Sequence, residues 1–365
     1  MVSVIILAGG YATRLRPLTF TKPKPLLPIL NKAVIDWILD SITAIKPSSI
    51  FLSVRYMSEL IEKHINHRWA SLMGIINVVR EDKPLGDGGP VSYIASNYKL
   101  DDIIVVFNGD IFTRVNLEEV INEHVSKGAL ATICLTQVSD VSQYGVVTLG
   151  KDNLVTGFVE KPEPGSAPSN LINAGIYVFS KEALRYFPKP GEFGKLALDV
   201  LPRIIKDRGA YGYALKGYWY DIGTVSSYLD ANFRALDEYC RDCPMPNGND
   251  VSIKPPVFIG EGVSIGPGAE VGPYVVILPN SKIGAHSRIK YSVIMDNTTV
   301  ERGAYVDLAV LGSDVFVGRW ARIEKGVVVG DGSYISDHVL INRDSIIGPF
   351  REVNQSVYEV GKILL

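Results

Sequence analysis

Between Ile259 and Ile347 an aliphatic residue returns at a nearly constant interval: Ile259, Ile265, Val271, Ile277, Ile283, Ile289, Ile294, Val300, Val306, Leu311, Val317, Ile323, Val329, Ile335, Ile341 and Ile347. The step is six residues except from Ile289 to Ile294 and from Val306 to Leu311, where it is five. Glycine often follows, as in "VGDG" and "IIGP". A hexapeptide period predicts a parallel β-helix, in which each short strand turns one side chain onto a stacked core. We place this coil at 257–348, with about five turns. Its open ends and flat faces predict a homo-oligomer assembled through the coil.

The residues before the coil follow another rule. Short β-branched runs alternate with helical stretches: "VSVIILA" and a helix from Ala33, "SIFLSV" and a helix from Met57, "IINVV" and a helix from Gly88, "IIVVFNGD" and a helix from Asn116. Strands separated by helices need crossover connections, so this half predicts an α/β, Rossmann-like domain with a mostly parallel, mixed sheet. A chain of 365 residues accommodates two such domains. We divide it into 1–238, a linker at 239–256, the coil at 257–348 and a tail at 349–365 that packs back on the coil. Ligands of open α/β sheets sit beyond the carboxyl ends of the strands.

Charge and composition exclude several classes of partner. Net charge is −2 and charged residues make up 21%, with signs mixed, so neither nucleic acid nor a membrane surface is an expected partner. The start "MVSVIILAGG" lacks a basic region before its apolar run and reads as a first strand, giving a cytoplasmic expectation. Cys134, Cys240 and Cys243 are too few for a disulfide framework, and "CRDC" reads as a pair of free thiols near a linker. His64 and His67, one turn apart on an amphipathic helix, read as solvated rather than metal-binding.

Beyond the first strand comes "LAGGYATRLRPLTFTKPKPL", Leu7 to Leu26. Gly9 and Gly10 let backbone N–H groups approach an anion closely, and Arg14, Arg16, Lys22 and Lys24 add positive charge. The prolines stiffen a loop that would otherwise swing its bases into water. The spacing fits neither a Walker A loop nor a GxGxxG fingerprint.

With "EDKPLGDGGP", "NGD", "SQYGVV", "FVEKP", "INAGIYVF", "GYWYDIG" and the hexapeptide tail, this string resembles the sugar-phosphate nucleotidyltransferases, most of all the mannose-1-phosphate guanylyltransferases. The resemblance spans nearly the whole chain. It implies a left-handed coil and a reaction in which a nucleoside triphosphate and a sugar 1-phosphate give a nucleotide sugar and pyrophosphate. It assigns Arg14 and Lys24 to the triphosphate, Lys161 to the sugar phosphate, and Asp110 and Asp221 to a Mg²⁺ ion. Nucleotide contacts fall on Leu7, Ala8, Gly9, Gly10, Glu81, Pro84, Gly86, Asp87 and Gly88. Sugar contacts fall on Asn108, Gly109, Gly145, Glu160 and Asn173.

The residues agree with that chemistry. A phosphate dianion needs no protein base to attack phosphorus, so the work is neutralising and positioning two anions. Few hard carboxylates, completed by phosphates and water, suit Mg²⁺. Glu81 favours guanine, whose N1–H and N2–H₂ lie side by side for one carboxylate to accept. No residue separates mannose from glucose. Two positions depart from the family pattern: Ala12 replaces a usual glycine and Asp87 a usual threonine. The rival readings are a uridylyl- or thymidylyltransferase acting on glucose 1-phosphate, a non-catalytic regulatory paralogue, and an acyltransferase coil using His286 or His338. The last would need one of those histidines beside a coenzyme A groove.

Overall fold

The computed structural model describes residues 1–163, 165–241, 243–244 and 250–365. They fall into two compact units, one of Met1–Gly10 with Val34–Tyr220, the other of Tyr11–Ala33 with Asp221–Leu365. The basic loop after the first strand thus shares its contacts with the coil-bearing unit. Part of the expected linker, residues 242 and 245–249, lies outside the described residues.

The first unit is built on a nine-stranded sheet. Its main path runs Val155–Glu160, Gly145–Leu149, Leu171–Ser180, Ile103–Asn108, Val2–Ala8, Ser49–Val54 and Ile76–Arg80, with Ala131–Gln137 pairing Leu171–Ser180 and Ala210–Ala214 joining Ala131–Gln137. Parallel pairing joins Val2–Ala8 to both neighbours and Ser49–Val54 to Ile76–Arg80, where strand and helix alternate. Helices α1 (Val34–Thr43), α2 (Ser58–Arg68), α3 (Gly89–Asn97) and α4 (Leu117–Ser126) follow the first strands, each within a residue or so of its sequence prediction. Beyond Ile103–Asn108 the sheet turns antiparallel at Leu171–Ser180. No helical stretch separates Gly145–Leu149 from Val155–Glu160, so these strands pair as a hairpin. Ile5, Val106, Ile133, Val147 and Phe179 pack into the core on one face.

His124 of α4 is a buried polar element of this unit, 1% exposed. Its ring nitrogens lie 2.9 Å from Thr132 Oγ1 and 3.0 Å from Ser180 Oγ, whose own hydroxyl donates to the Ala129 carbonyl. Ser180 is thereby left to accept from Nε2–H, which sets the neutral tautomer. His64 is also engaged rather than solvated: its Nε2 lies 2.8 Å from Asp36 Oδ1, which also accepts from Trp69 Nε1 at 2.7 Å. A buried carboxylate on α1 draws both groups to it.

In the second unit the hexapeptide period becomes three parallel stacks of six, seven and six short strands, a parallel β-helix. Every position of the aliphatic repeat from Val271 to Ile347 is at most 3% exposed, and Ile259 and Ile265 pack on the same core. The five-residue steps fall at corners where Tyr291 and Leu308 take φ of 50° and 47°. The coil is longer than the period alone delimits. Ser252–Ile253 begins one stack, and Glu352–Val353 and Ile363–Leu364 end the other two, the last pairing in parallel with Ile346–Ile347. Residues 349–365 therefore contribute strands, because Val353 still supplies an inward aliphatic residue although the glycine spacing has lapsed.

After α5 (Leu201–Lys206), helix α6 (Val225–Tyr239) opens with a capping box between Thr224 and Ser227. At its far end Cys240 and Cys243, expected as free thiols, form a disulfide with a Cα–Cα separation of 4.7 Å. The helix ends at Tyr239, and the turn that follows brings the two Cα atoms within bridging range. Cysteine usage then no longer argues for a reducing compartment. Cys134 is buried, and burial pushes its thiol up. Among the described residues no helix is long and apolar enough to cross a membrane.

Burial lowers the His124 imidazole to about 4. Its folded value thus lies below its unfolded value, and the folded state resists protonation between the two. Stability should fall as pH drops from about 6.5 to about 4, by up to about 3 kcal/mol, and level off below. Urea unfolding of wild type and H124Q across this range should show the gap between them closing on acidification; a constant gap contradicts it.

Candidate functional site

The loop from Tyr11 to Ala33 arrives folded as three single 3₁₀ turns, Thr13–Leu15, Leu18–Phe20 and Lys24–Leu26. It begins with Ala12 at φ 49° and ψ 47°. Alanine thus takes the left-handed conformation expected of a glycine there, at a cost of about 1–2 kcal/mol. Two bonds define the bend: the Ala12 carbonyl accepts from Leu15 N–H at 3.1 Å and from Thr19 Oγ1 at 2.9 Å.

The structure sorts the four bases of this loop. Arg16 lies over the Phe20 ring, 4.9 Å from its centroid, and Lys22 Nζ donates to Ser313 Oγ at 3.1 Å. Lys24 instead pairs with Asp221, and Arg14 flanks Gly223 beside the same carboxylate. Lys24 Nζ is 3.6 Å from Asp221 Oδ1, with the two side chains 12% and 21% exposed. A Cβ placed on Gly223 would stand 3.1 Å from Arg14 Nη2 and 3.1 Å from Asp221 Oδ2. Glycine there gives both charged groups room against the backbone. Three of the five catalytic candidates thus lie in one unit near Gly223, a residue of "GYWYDIG" with no role legible in the sequence.

In the other unit, candidates cluster at the carboxyl ends of the central parallel strands. Gly109 N–H donates to the Leu7 carbonyl at 2.8 Å, and a Cβ at Gly109 would stand 2.8 Å from that oxygen, so only glycine lets "NGD" lie against the first strand. Asp110 follows directly. A Cβ on Gly9 would stand 3.0 Å from Glu81 Oε1. The Glu81 carboxylate accepts from Ser53 Oγ at 2.6 Å and from Leu85 N–H at 3.4 Å. Burial raises its pKa above the usual glutamate value, opposed by the Ser53 hydroxyl, the Leu85 N–H and the Arg55 charge. Ser53 was missed in the sequence, although a serine near the end of the apolar strand "SIFLSV" is the signal that could have found it.

The segment bearing Pro84, Gly86, Asp87 and Gly88 is clamped by a loop the sequence did not single out. Gly88 N–H donates to the Gly194 carbonyl at 2.9 Å, Gly194 N–H donates to Leu85 at 3.0 Å, and a Cβ on Gly86 would fall 2.2 Å from the Gly194 carbonyl oxygen. Asp87 Oδ1 accepts from Leu196 N–H at 2.7 Å. Burial raises its pKa, with Leu196 N–H and the Lys195 charge acting against that. Pro84 is exposed.

The remaining candidates form two small groups. Asn173 Oδ1 accepts from Gly175 N–H at 3.1 Å and its Nδ2 donates to Tyr177 Oη at 2.6 Å, while a Cβ on Gly175, at φ 72°, would stand 2.6 Å from Asn108 Nδ2. Gly145 leaves space first for the Phe158 ring, 2.4 Å from a Cβ there, and then for Glu160 Oε2 at 2.9 Å. Burial raises the Glu160 pKa; Lys161 and Lys195 lower it and Asp87 adds to the rise. Lys161 itself has φ 46° and its N–H donates to the Tyr144 carbonyl at 3.0 Å. Lys195 thus joins Lys161 as a charge near Glu160, and nothing in its sequence context marked it. Gly10 differs from these glycines: nothing stands within 4 Å of its Cβ direction and its φ is not in the positive range.

Substituting Gly223 by alanine should displace Arg14 or Asp221 while leaving the backbone unstrained. Affinity for a nucleoside triphosphate, read by isothermal titration, should fall about tenfold with little change in the unfolding midpoint. Unaltered affinity would show that these groups do not act together.

Comparison with known proteins gives the family. The nucleotidyl transferase family matches residues 3–238, and the GMPPB C-terminal domain matches 253–363. A Sulfolobus acidocaldarius protein provisionally named mannose-1-phosphate guanyltransferase is 38% identical over 100% of both chains. Mannose-1-phosphate guanyltransferase of Debaryomyces hansenii is 32% identical over 97% of each chain. The crystal structure of HddC from Yersinia pseudotuberculosis complexed with GMP-PN matches with a TM-score of 0.53 and 26% identity, covering 64% of this chain and 99% of that one. The chain therefore belongs to the nucleotidyl transferase family, as a sugar-1-phosphate nucleotidyltransferase with a GMPPB-type C-terminal domain.

Proposed function

We propose that the enzyme transfers GMP from GTP to mannose 1-phosphate, giving GDP-mannose and pyrophosphate. The observation that carries the reaction class is the Lys24–Asp221 pair with Arg14 beside it across Gly223. Gly10 supports it: a glycine required by neither packing nor backbone conformation leaves room for a phosphate to approach the chain. Guanine is supported by Glu81, a carboxylate held by Ser53 and lying against Gly9. Mannose rests on the names of the relatives.

In this reading an oxygen of the sugar phosphate attacks the α-phosphorus in line, the bond to the β-phosphate oxygen breaks, and pyrophosphate carries the charge away. Lys161 holds the attacking phosphate, and Arg14 and Lys24 stabilise the departing charge. Removing one such fixed cation typically costs about 3 kcal/mol at the transition state. Asp110 and Asp221 are hard oxygen donors and fit Mg²⁺ better than a softer ion. Each offers a carboxylate oxygen of the kind such an ion takes, and the ion would neutralise phosphate charge when bound. Leu7, Ala8, Gly9, Gly10, Pro84, Gly86, Asp87 and Gly88 line the nucleotide, and Asn108, Gly109, Gly145, Glu160 and Asn173 the sugar.

Pyrophosphate release across nucleoside triphosphates and sugar 1-phosphates tests this. GTP with mannose 1-phosphate should be the best pair, and ITP, lacking the 2-amino group, should lose about tenfold or more in kcat/KM. The KM for GTP should rise on acidification with an inflection above the ordinary glutamate value of 4.5, because Glu81 must be ionised and burial raises its pKa. Pyrimidine preference would overturn the base assignment and leave the reaction class.

We also assign self-assembly to the coil. Phe350, Tyr358, Ile363 and Leu365 are between 57% and 75% exposed on its last turns. Sedimentation should return a multiple of the chain mass, and a single-chain mass would remove this role.

A further inference from the structure

The basic loop and the coil share one unit, and side chains tie them together. Thr21 Oγ1 donates to Asp331 Oδ2 at 2.7 Å, and Lys22 Nζ donates to Ser313 Oγ at 3.1 Å. The coil residues are themselves fixed. Asp331 Oδ1 accepts from Ser313 N–H at 2.8 Å, and Ser313 Oγ donates to Asp296 Oδ1 at 2.8 Å. A Cβ on Gly312 would stand 2.4 Å from Asp331 Oδ1, so glycine there is what admits the carboxylate. Asp331 thus holds the loop with one oxygen and an adjacent coil turn with the other. A surface acid free to rotate would do neither.

Thr21 and Lys22 lie in the chain between Arg14 and Lys24. A loop with two cations close to one carboxylate has a competing state, in which the cations separate and hydrate; whatever fixes the backbone between them opposes that state. We propose that Asp331, backed by Ser313 and Asp296, is a positioning residue for Arg14 and Lys24, so that the coil contributes to catalytic rate as well as to assembly. This rests on the reading of Arg14 and Lys24 as polyphosphate ligands.

The test compares full-length wild type, Thr21→Val, Asp331→Ala, the double variant and Ser336→Ala, whose hydroxyl bonds Asn354 on another turn. Steady-state pyrophosphate release should show kcat reduced about tenfold in each single variant with KM for the nucleotide changed less than about twofold. The double variant should be no worse than the poorer single, because both remove one bond, and Ser336→Ala should match wild type. Unchanged kcat with a lowered unfolding midpoint, or losses that multiply, would overturn the proposal. Should Asp331→Ala fail to fold, Thr21→Val, a methyl for a hydroxyl, decides alone. Hydrogen exchange across 11–33 gives a readout that does not need turnover: it should quicken in Thr21→Val, and unchanged exchange sinks the tether. Absence of pyrophosphate release by wild type with every substrate pair, alongside quickened exchange, would count against the functional reading and leave the tether standing.

Discussion

Like charges placed near each other stay together only if the backbone beneath them cannot relax. The loop from Tyr11 to Ala33 meets that requirement through bonds to residues far away in the chain. Thr21 and Lys22 are held by Asp331 and Ser313, the Pro28 carbonyl accepts from Tyr228 Oη at 2.6 Å, and Leu30 N–H donates to Asn232 at 3.0 Å. Pro17, Pro23, Pro25 and Pro28 remove backbone donors that would otherwise need partners. Within that frame Lys24 pairs with Asp221 and Arg14 flanks Gly223 beside it, while Arg16 packs on Phe20 and Lys22 bonds the coil.

The glycines show a second constraint of the same kind. Gly109 and Gly86 are glycine because a backbone carbonyl oxygen occupies the place of a Cβ. Gly10 has no such occupant. Ala12 makes the opposite case, since it adopts the left-handed conformation and carries the strain.

Much of this was legible in sequence. The hexapeptide period located the coil and its core positions, because one inward residue per strand leaves a repeating mark; strand and helix alternation located the parallel half of the sheet. Legibility ended where periodicity ended. The added strands at Ser252–Ile253 and Ile363–Leu364 lie outside the glycine-spaced repeats, and the antiparallel strands beyond Ile103–Asn108 have no helices to announce them. The Cys240–Cys243 disulfide escaped because it depends on the turn after α6 rather than on a count of cysteines.

The sequence by itself determined the two architectures, the anionic nature of the ligand and the identities of most charged candidates, since each follows from local pattern and residue chemistry. Tertiary structure alone decided which of four neighbouring bases face Asp221, that Ser53 holds Glu81, that Gly194 clamps the glycine-rich segment, and that Asp331 holds the loop. These contacts join residues between 28 and 310 positions apart. Hydrogen bonds over such separations depend on how the elements pack, and no local pattern encodes them.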